Sequence, residues 1–294
     1  MNMHAQPDPE WQKDAIWFGS IPLHPLGERN SFQCIVEAGH NIEEQRAHFS
    51  GMYTQRFLNI IMLLVFLHCL WLSIGMIRMR PHALASWCCL IQTTCGVAYN
   101  AVAISSLHPD GATCRKSAWT AAVTANLGEA CISAVLLQKA YIVQDRPRWM
   151  LVFGLLIIAA PPLLVYAAWA SPAIQGSTCE CTVDYRFYYP WIRFGLYVPL
   201  DVACSAVFLV VVFRHLRRFG SEAWKQLTQS GTQLILCLLL SHLTCLFIIA
   251  FDLSGTFSGV VYMLDWFVCS VLIIAHVHSA HTSKPQSSFV ELTE

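Results

Sequence analysis

Charged residues are scarce in this chain of 294 residues. They make up 12% of the sequence, whereas soluble proteins approach about 25%. Hydrophobic residues reach 55%, and the mean hydropathy is +0.49. A water-soluble fold could not bury this much apolar surface, so the composition indicates a membrane protein. The formal charge of zero and the pI near 7.2 give no indication of a nucleic-acid partner.

The short motifs of common soluble enzymes are missing as well. The sequence contains no phosphate-binding loop, no dinucleotide glycine pattern and no nucleophile elbow. We therefore expect neither enzymatic activity nor a bound cofactor. Residues 1–20 lack the apolar stretch of a cleaved signal peptide. The first membrane span is accordingly expected to act as the targeting signal.

What the chain does contain is long apolar runs. The hydrocarbon core of a bilayer is about 30 Å thick, which about 20 helical residues can cross. Seven runs of this length predict membrane-spanning helices at 57–77, 83–107, 117–142, 149–170, 190–213, 232–251 and 256–276. The sequence thus predicts an all-α membrane protein, a seven-helix bundle over residues 57–276 in contact with membrane lipids. Residues 1–56 and 277–294 are predicted to be tails.

Basic residues near the span ends predict the orientation of the bundle. Cytoplasmic loops retain Lys and Arg. With the N-terminus outside, nine basic residues fall on the cytoplasmic side and six on the outer side. The segment 213–225, after the fifth span, holds four of the nine. We therefore expect an extracellular N-terminus, a cytoplasmic C-terminus and a multi-pass protein of the plasma membrane.

Cysteine usage is consistent with this orientation. Nine of the thirteen cysteines lie inside predicted spans, where a thiol behaves as a small apolar residue. The other four, Cys34, Cys114, Cys179 and Cys181, all lie in segments assigned to the outside. An oxidising space favours disulfides between them. Three connectivities exist, and the favoured ones join Cys114 to Cys179 or Cys181 and leave Cys34 with the remaining partner.

Four ionisable residues lie deep inside predicted spans: Glu129, Asp201, His242 and Asp265. Each sits on the order of 14 to 18 Å from the nearest span end, at 1.5 Å per residue. A charge at that depth costs at least about 2.5 kcal/mol on insertion scales, so such residues usually face the bundle interior. The four could share one layer of the bundle.

Two of these residues belong to polar stripes. Asn126 and Glu129 fall on one face of the third span, and Tyr262 and Asp265 fall on one face of the seventh. Several carboxylates in one low-dielectric interior require a proton, an ion or a cationic partner, for which His242 is a candidate. A pocket for a small ligand or cation, a proton relay and simple helix packing all remain open for these residues and Asp201.

Histidines near the inner end of the seventh span suggest a metal site at first sight. His276, His278 and His281 form H-x-H-x-x-H. Metal ligands on a helix usually lie three or four residues apart, and only the last two meet this spacing. We therefore expect no metal site.

The topology resembles that of a G-protein-coupled receptor. The resemblance lies in the seven spans, the outer N-terminus, Cys114 at the outer end of the third span and Cys179-Glu180-Cys181 before the fifth. The chain is also similar to orphan seven-helix proteins of fungi. It departs from the best-known receptor class, because the acidic-Arg-aromatic triplet, Cys-Trp-x-Pro and Asn-Pro-x-x-Tyr are absent. A retinal protein is not expected, because the predicted seventh span contains no lysine.

The resemblance implies a receptor or sensor that binds an unknown small ligand from outside. It places Lys139 or Arg146 in the position of the triplet arginine. Arg217 and Arg218 could then meet a cytoplasmic signalling partner such as a G protein. An ion- or proton-coupled transporter that uses the intramembrane carboxylates is the alternative, and a membrane-embedded hydrolase is the third.

Overall fold

The computed structural model describes residues 15–37, 42–143, 149–175, 179–185, 188–219, 222–251 and 258–282. Helices dominate these ranges. They are α1 (Ser31–Glu37), α2 (Ile42–Met79), α3 (Leu84–Ser105), α4 (Cys114–Val143), α5 (Trp149–Trp169), α6 (Tyr188–Phe219), α7 (Glu222–Ala250) and α8 (Ser258–Thr282).

Six helices are long and apolar enough to cross a membrane, counted over the described residues. Their apolar stretches are Met52–Met79, Leu84–Ser105, Cys114–Gln138, Tyr188–Val211, Thr232–Ile249 and Gly259–Ser279. Helix α5 has a shorter one, Gly154–Trp169, which at 1.5 Å per residue spans only about 24 Å. The prediction of an all-α, multi-pass membrane protein is confirmed, and the seventh span stays a prediction.

The outer surface of the bundle is apolar. Leu64 is 62% exposed, Trp71 75% and Leu163 73%. Water would make such a surface strongly unfavourable, whereas lipid chains cover it without cost. The side chains that the helices leave exposed are therefore consistent with a bundle in a bilayer.

Some helices extend beyond the spans that the sequence predicts. Helix α2 begins at Ile42 rather than at residue 57, so part of the predicted tail is helical. Helix α6 continues to Phe219 and α8 to Thr282. Hydropathy marks only the part of a helix that lies in hydrocarbon, because polar residues with good helix propensity continue the same backbone pattern into water.

Helix α4 lies at the centre of the bundle. It packs against α3, α5, α6 and α8, while α8 also contacts α2 and α7. Side chains from α4, α6, α7 and α8 can therefore meet in the interior. This arrangement positions the candidate site.

Two small hairpins cap one end of the bundle. Strands β1 (Ile16–Phe18) and β2 (Ile21–Leu23) pair antiparallel, and a 3-10 helix follows at Pro25–Glu28. Strands β3 (Ala173–Gln175) and β4 (Cys181–Val183) form the second antiparallel hairpin. The second hairpin connects α5 with α6.

Two disulfides hold this cap, which confirms the prediction of disulfide bonds. Cys114 pairs with Cys181, and Cys34 pairs with Cys179. The first bond ties β4 to the first residue of α4, and the second ties the same loop to α1. All four cysteines thus lie together at the end of the bundle that the sequence assigns to the outside.

Polar contacts fix the N-terminal segment to the same end. Arg115 at the start of α4 forms an ion pair with Glu28 and donates a hydrogen bond to the carbonyl of His24 at 2.7 Å. Asn30 Nδ2 donates to the carbonyl of Pro109 at 2.7 Å. A Cβ atom at Gly27 would lie 2.7 Å from the carbonyl oxygen of Ala173, so only glycine fits this close approach.

Candidate functional site

An ion pair lies in the interior of the bundle between α4 and α6. Arg193 Nη2 donates to Glu129 Oε1 at 2.6 Å, and both residues are buried. Glu129 is 1% exposed, so the polar stripe of α4 does face inward. Removing one partner of a buried pair typically costs about 3 to 5 kcal/mol, because the other charge is left uncompensated.

The guanidinium of Arg193 also contacts an aromatic ring of α8. Its Cζ atom lies 4.6 Å from the centroid of the Tyr262 ring, which places the cation against a π-face. Sequence reasoning missed Arg193, which it counted among the basic residues near the outer ends of the spans. The signal was its position inside the predicted span 190–213, where a charge requires a partner.

A second polar group links α7 and α8. His242 Nδ1 donates to Asp265 Oδ2 at 2.8 Å, and Ser241 Oγ donates to Asp265 Oδ1 at 2.8 Å. Cys269 Sγ lies 3.7 Å from His242 Nε2 and 3.6 Å from Asp265 Oδ1. Three potential metal ligands, His242, Asp265 and Cys269, therefore lie together inside the bundle.

These two groups border one cavity of about 30 Å³. We call the residues that form them the polar cluster: Glu129, Arg193, Ser241, His242, Tyr262, Asp265 and Cys269. Four residues that the sequence analysis selected, Glu129, His242, Tyr262 and Asp265, line this cavity. Each carboxylate has a nitrogen partner, so the charge that the sequence left unbalanced is compensated within the protein.

Other candidates take different positions or lie outside the described residues. Asn126 is buried, but its Nδ2 donates to the carbonyl of Ala122 in its own helix at 2.7 Å. Asp201 belongs to α6, and its side chain lies outside the described part of the structure.

The side chains that the sequence analysis selected for cytoplasmic coupling lie outside the described part of the structure. Arg146 falls in a segment that is not described. Lys139, Arg217 and Arg218 belong to α4 and α6, and their side chains are likewise outside the described set.

A larger cavity, of about 80 Å³, lies nearer the cap. We call it the outer cavity. Residues of α2, α3, α4, α8 and strand β4 line it, including Cys181 of the disulfide to α4. A single water requires only about 10 to 15 Å³ on such a measure, so the outer cavity has room for a small molecule.

Arg56 of α2 lines the outer cavity and is 5% exposed. Its Nη1 donates to the carbonyl of Ala103 at 2.6 Å, and its Nη2 donates to Ser31 Oγ at 2.7 Å. Its Nε has no hydrogen-bond partner within the described ranges. Glu180 lines the same cavity without forming a salt bridge to it. Among the described residues this buried guanidinium has no carboxylate partner, although a buried charge is usually paired with an opposite one.

Three further buried polar atoms of the outer cavity lack hydrogen-bond partners among the described residues. They are Gln55 Oε1, Asn59 Nδ2 and Ser117 Oγ. Buried polar groups are nearly always hydrogen-bonded in proteins. These atoms are therefore the groups of the outer cavity that could hydrogen-bond to a molecule bound there.

Aromatic contacts connect the outer cavity with the polar cluster. Tyr185 lines the outer cavity, and its ring packs edge-on against Tyr262 with the centroids 5.9 Å apart. Tyr262 in turn lies against Arg193. Two side chains, Tyr185 and Tyr262, thus connect the outer cavity with the ion pair in the interior.

Neither a protein-family model nor a curated protein sequence matches this chain.

Proposed function

We propose that this protein is a seven-helix membrane receptor that binds a small molecule in the outer cavity and signals to the cytoplasm. The observation that carries the proposal is Arg56, a buried guanidinium without a carboxylate partner in the described structure, on the wall of a cavity beneath a disulfide-held hairpin. Such a group is expected to be completed by an anion.

The lining favours one chemical class of ligand. Apolar side chains of α2 and α8, such as Met62 and Met263, form much of the wall. Asn59 and Ser117 offer hydrogen bonds beside them. The ligand that fits is a small amphipathic molecule with an acidic group for Arg56 and an apolar body.

The route of the signal follows from the contacts below the cavity. A ligand that displaces the ring of Tyr185 shifts Tyr262, which bears on Arg193 and its ion pair with Glu129. The pair joins α4 to α6, so its rearrangement changes how these helices pack at their other ends. A cytoplasmic partner such as a G protein would read that change at the inner loops.

The proposal includes the orientation. Helix α5 completes the seven spans, the N-terminus is outside, and the plasma membrane is the location. Impermeant labelling of intact cells tests it. A tag placed before residue 15 should be labelled, and a tag inserted at 220–221 should be labelled only after permeabilisation. The reverse pattern would contradict the proposal.

Binding is tested with the full chain in lipid nanodiscs. The probes are straight-chain carboxylic acids of increasing length, each with the corresponding alcohol as a control. A ligand at about 100 times its Kd stabilises the folded protein by about 2.7 kcal/mol, a shift in melting temperature that a thermal assay detects. We expect acids to stabilise the protein more than the matched alcohols.

Variants connect any stabilisation to the site. Arg56→Gln and Asn59→Leu should each raise the Kd for the acid by about tenfold or more, since each removes one hydrogen-bonded or charged contact. Arg78→Gln is the matched control, because Arg78 is an exposed arginine at the other end of α2. Equal stabilisation of wild type and Arg56→Gln would contradict the assigned site.

Signalling is tested by hydrogen exchange with and without the stabilising acid. A receptor should show altered protection both in the β3–β4 hairpin and at the inner ends of α6 and α7. Protection confined to the hairpin would contradict signalling. Uptake of the acid into proteoliposomes would instead indicate a carrier.

A further inference from the structure

The first hairpin, β1–β2, carries an apolar surface that the protein leaves exposed. Ile16 is 76% exposed, Trp17 56% and Phe18 59%. Residues 16–23 contain no charged side chain, and Ser20 supplies their one hydroxyl group. A hairpin that faced water would normally carry polar side chains on its exposed face. Neighbouring exposed apolar side chains of this kind usually mark a surface that meets a protein or a membrane.

Two contacts place the hairpin against the side of the bundle. Ser20 Oγ lies 2.9 Å from the hydroxyl oxygen of Tyr166, within hydrogen-bond distance. Tyr166 is three residues before the end of α5, which is about 4.5 Å deeper at 1.5 Å per residue. The ring of Phe18 packs against Trp119 of α4 with the centroids 5.6 Å apart. The hairpin therefore lies beside the last turn of α5 and the first turns of α4.

The helical surface next to the hairpin faces lipid. Tyr166 is half exposed, and Leu163, almost one turn deeper on α5, is exposed as well. Trp169 at the end of α5 stacks on Trp119, with the centroids 5.0 Å apart. Trp and Tyr concentrate where hydrocarbon meets the lipid headgroups, because their rings are apolar and their N–H or O–H groups can hydrogen-bond. The exposed side chains of β1 thus continue the lipid-facing surface of the bundle into that layer.

We propose that the β1–β2 hairpin inserts Ile16, Trp17 and Phe18 into the interface of the lipid leaflet on the side of the cap. Side chains of consecutive strand residues point to opposite faces, so Trp17 faces away from Trp119, against which Phe18 packs. Trp17 is therefore the side chain of β1 that is available to lipid alone. The membrane holds the N-terminal segment at the hairpin, and the disulfide of Cys34 holds it at α1.

This proposal depends neither on a ligand in the outer cavity nor on which side of the membrane is outside. The full chain, with a nitroxide-bearing amino acid at position 17, is placed in phosphatidylcholine nanodiscs at one chain per disc. Relaxation of the nitroxide by oxygen, which concentrates in hydrocarbon, and by a water-soluble nickel chelate measures the depth of the probe. Reference probes replace Leu163, exposed on α5, and Asp110, exposed in the loop before α4.

The ratio of relaxation by oxygen to relaxation by nickel decides between lipid, water and protein. We expect the ratio at position 17 to be severalfold higher than at Asp110 and lower than at Leu163. A ratio equal to that at Asp110 would place the hairpin in water and overturn the proposal. Weak relaxation by both reagents would indicate burial against protein, which would overturn it as well.

A charged variant tests whether the hairpin is held by lipid. Ile16→Glu, measured with the probe at position 17, should lower the ratio toward the value at Asp110, because a carboxylate is costly to place in lipid. Ile16 is exposed, so its replacement removes little packing. Val36→Glu is the matched control, because Val36 is an exposed apolar residue of α1 outside the hairpin. It should leave the ratio unchanged. An unchanged ratio in Ile16→Glu would overturn the proposal.

Discussion

Gly128 and Trp266 fit each other in a way that no other residue at position 128 allows. A Cβ atom at Gly128 would lie 1.9 Å from Nε1 and 2.6 Å from Cδ1 of the Trp266 ring. Trp266 is fully buried and packs against Phe66 and Tyr99, with ring centroids 5.3 and 6.3 Å away. Because the buried indole is packed between these rings and α4, the missing side chain at Gly128 allows α4 and α8 to approach closely.

The first prediction follows from this contact. Gly128→Ala should lower the melting temperature and the folded yield, because overpacking a rigid core costs about 1 to 3 kcal/mol or more. Gly195→Ala is the control, since a Cβ there meets nothing within 4 Å. Adding Trp266→Phe to Gly128→Ala should restore part of the loss, because it deletes the clashing Nε1, which has no partner in the described structure. Failure of this rescue would contradict the steric explanation.

Much of the fold could be predicted from the sequence because lipid imposes simple rules. Apolar length identified the helices, and charge at depth identified Glu129 and Asp265 as inward-facing. Both are buried. Cysteines in the outer segments indicated the disulfides, although spacing alone left open whether Cys114 binds Cys179 or Cys181.

The site itself could be predicted only in part. Arg193 resembles an interfacial anchor in the sequence, and its pairing with Glu129 depends on the packing of α4 against α6. Cys269 was classed with the apolar cysteines, because only the packing of α7 against α8 places it beside His242. The outer cavity combines five separate elements, and no local pattern in the sequence marks Arg56 as one of its residues.

The second prediction concerns the two disulfides. Replacing both cysteines of either pair by serine should lower the melting temperature, because each bond closes a long loop in the unfolded chain. The sequence separations are 67 for Cys114–Cys181 and 145 for Cys34–Cys179. In the chain-entropy model, the disulfide that closes the longer loop stabilises the protein by only about 0.7 kcal/mol more than the other. We therefore expect the two variants to lose similar amounts of stability.

The control for the disulfides is Cys237→Ser, because Cys237 is free and exposed. It should leave the melting temperature unchanged. Peptide mapping without reductant should recover Cys34 linked to Cys179 and Cys114 linked to Cys181. Recovery of the alternative pairing would contradict the arrangement of the cap.

The third prediction is a pH dependence of the N-terminal segment. Burial, together with the nearby Arg115, lowers the pKa of His24 from its ordinary value near 6.5. The neutral ring accepts a hydrogen bond at Nδ1 from the amide of Leu26 at 3.2 Å. Because the pKa of His24 is lowered in the folded state, the stabilisation from this hydrogen bond is complete above about pH 6.5. It is lost as the pH falls through the folded-state pKa of His24.

Hydrogen exchange at Leu26 measures this effect. Its protection factor, corrected for the intrinsic exchange rate, should decrease between about pH 7 and about pH 5. His24→Gln should remove the dependence, since glutamine does not titrate in this range. Protection in the wild type that is constant with pH would show that His24 does not control the segment.

The last prediction concerns the ion pair between Glu129 and Arg193. Glu129→Gln and Arg193→Gln should each destabilise the protein strongly, by about 3 to 5 kcal/mol, since each leaves the other charge buried without a partner. The double variant should lose much less than the sum of the two single losses, because neutral amides can hydrogen-bond without a desolvated charge.

The exposed pair of Arg29 and Glu37, 2.7 Å apart with side chains about half exposed, provides the matched control. The same cycle there should give a coupling of at most about 1 kcal/mol, because water and salt screen exposed charges. Thermal unfolding of seven proteins, the wild type and three variants for each pair, measures both couplings. Additive losses at Glu129 and Arg193 would mean that the two charges do not depend on each other, and the proposed path from Tyr262 into the bundle would then lack the element on which it acts.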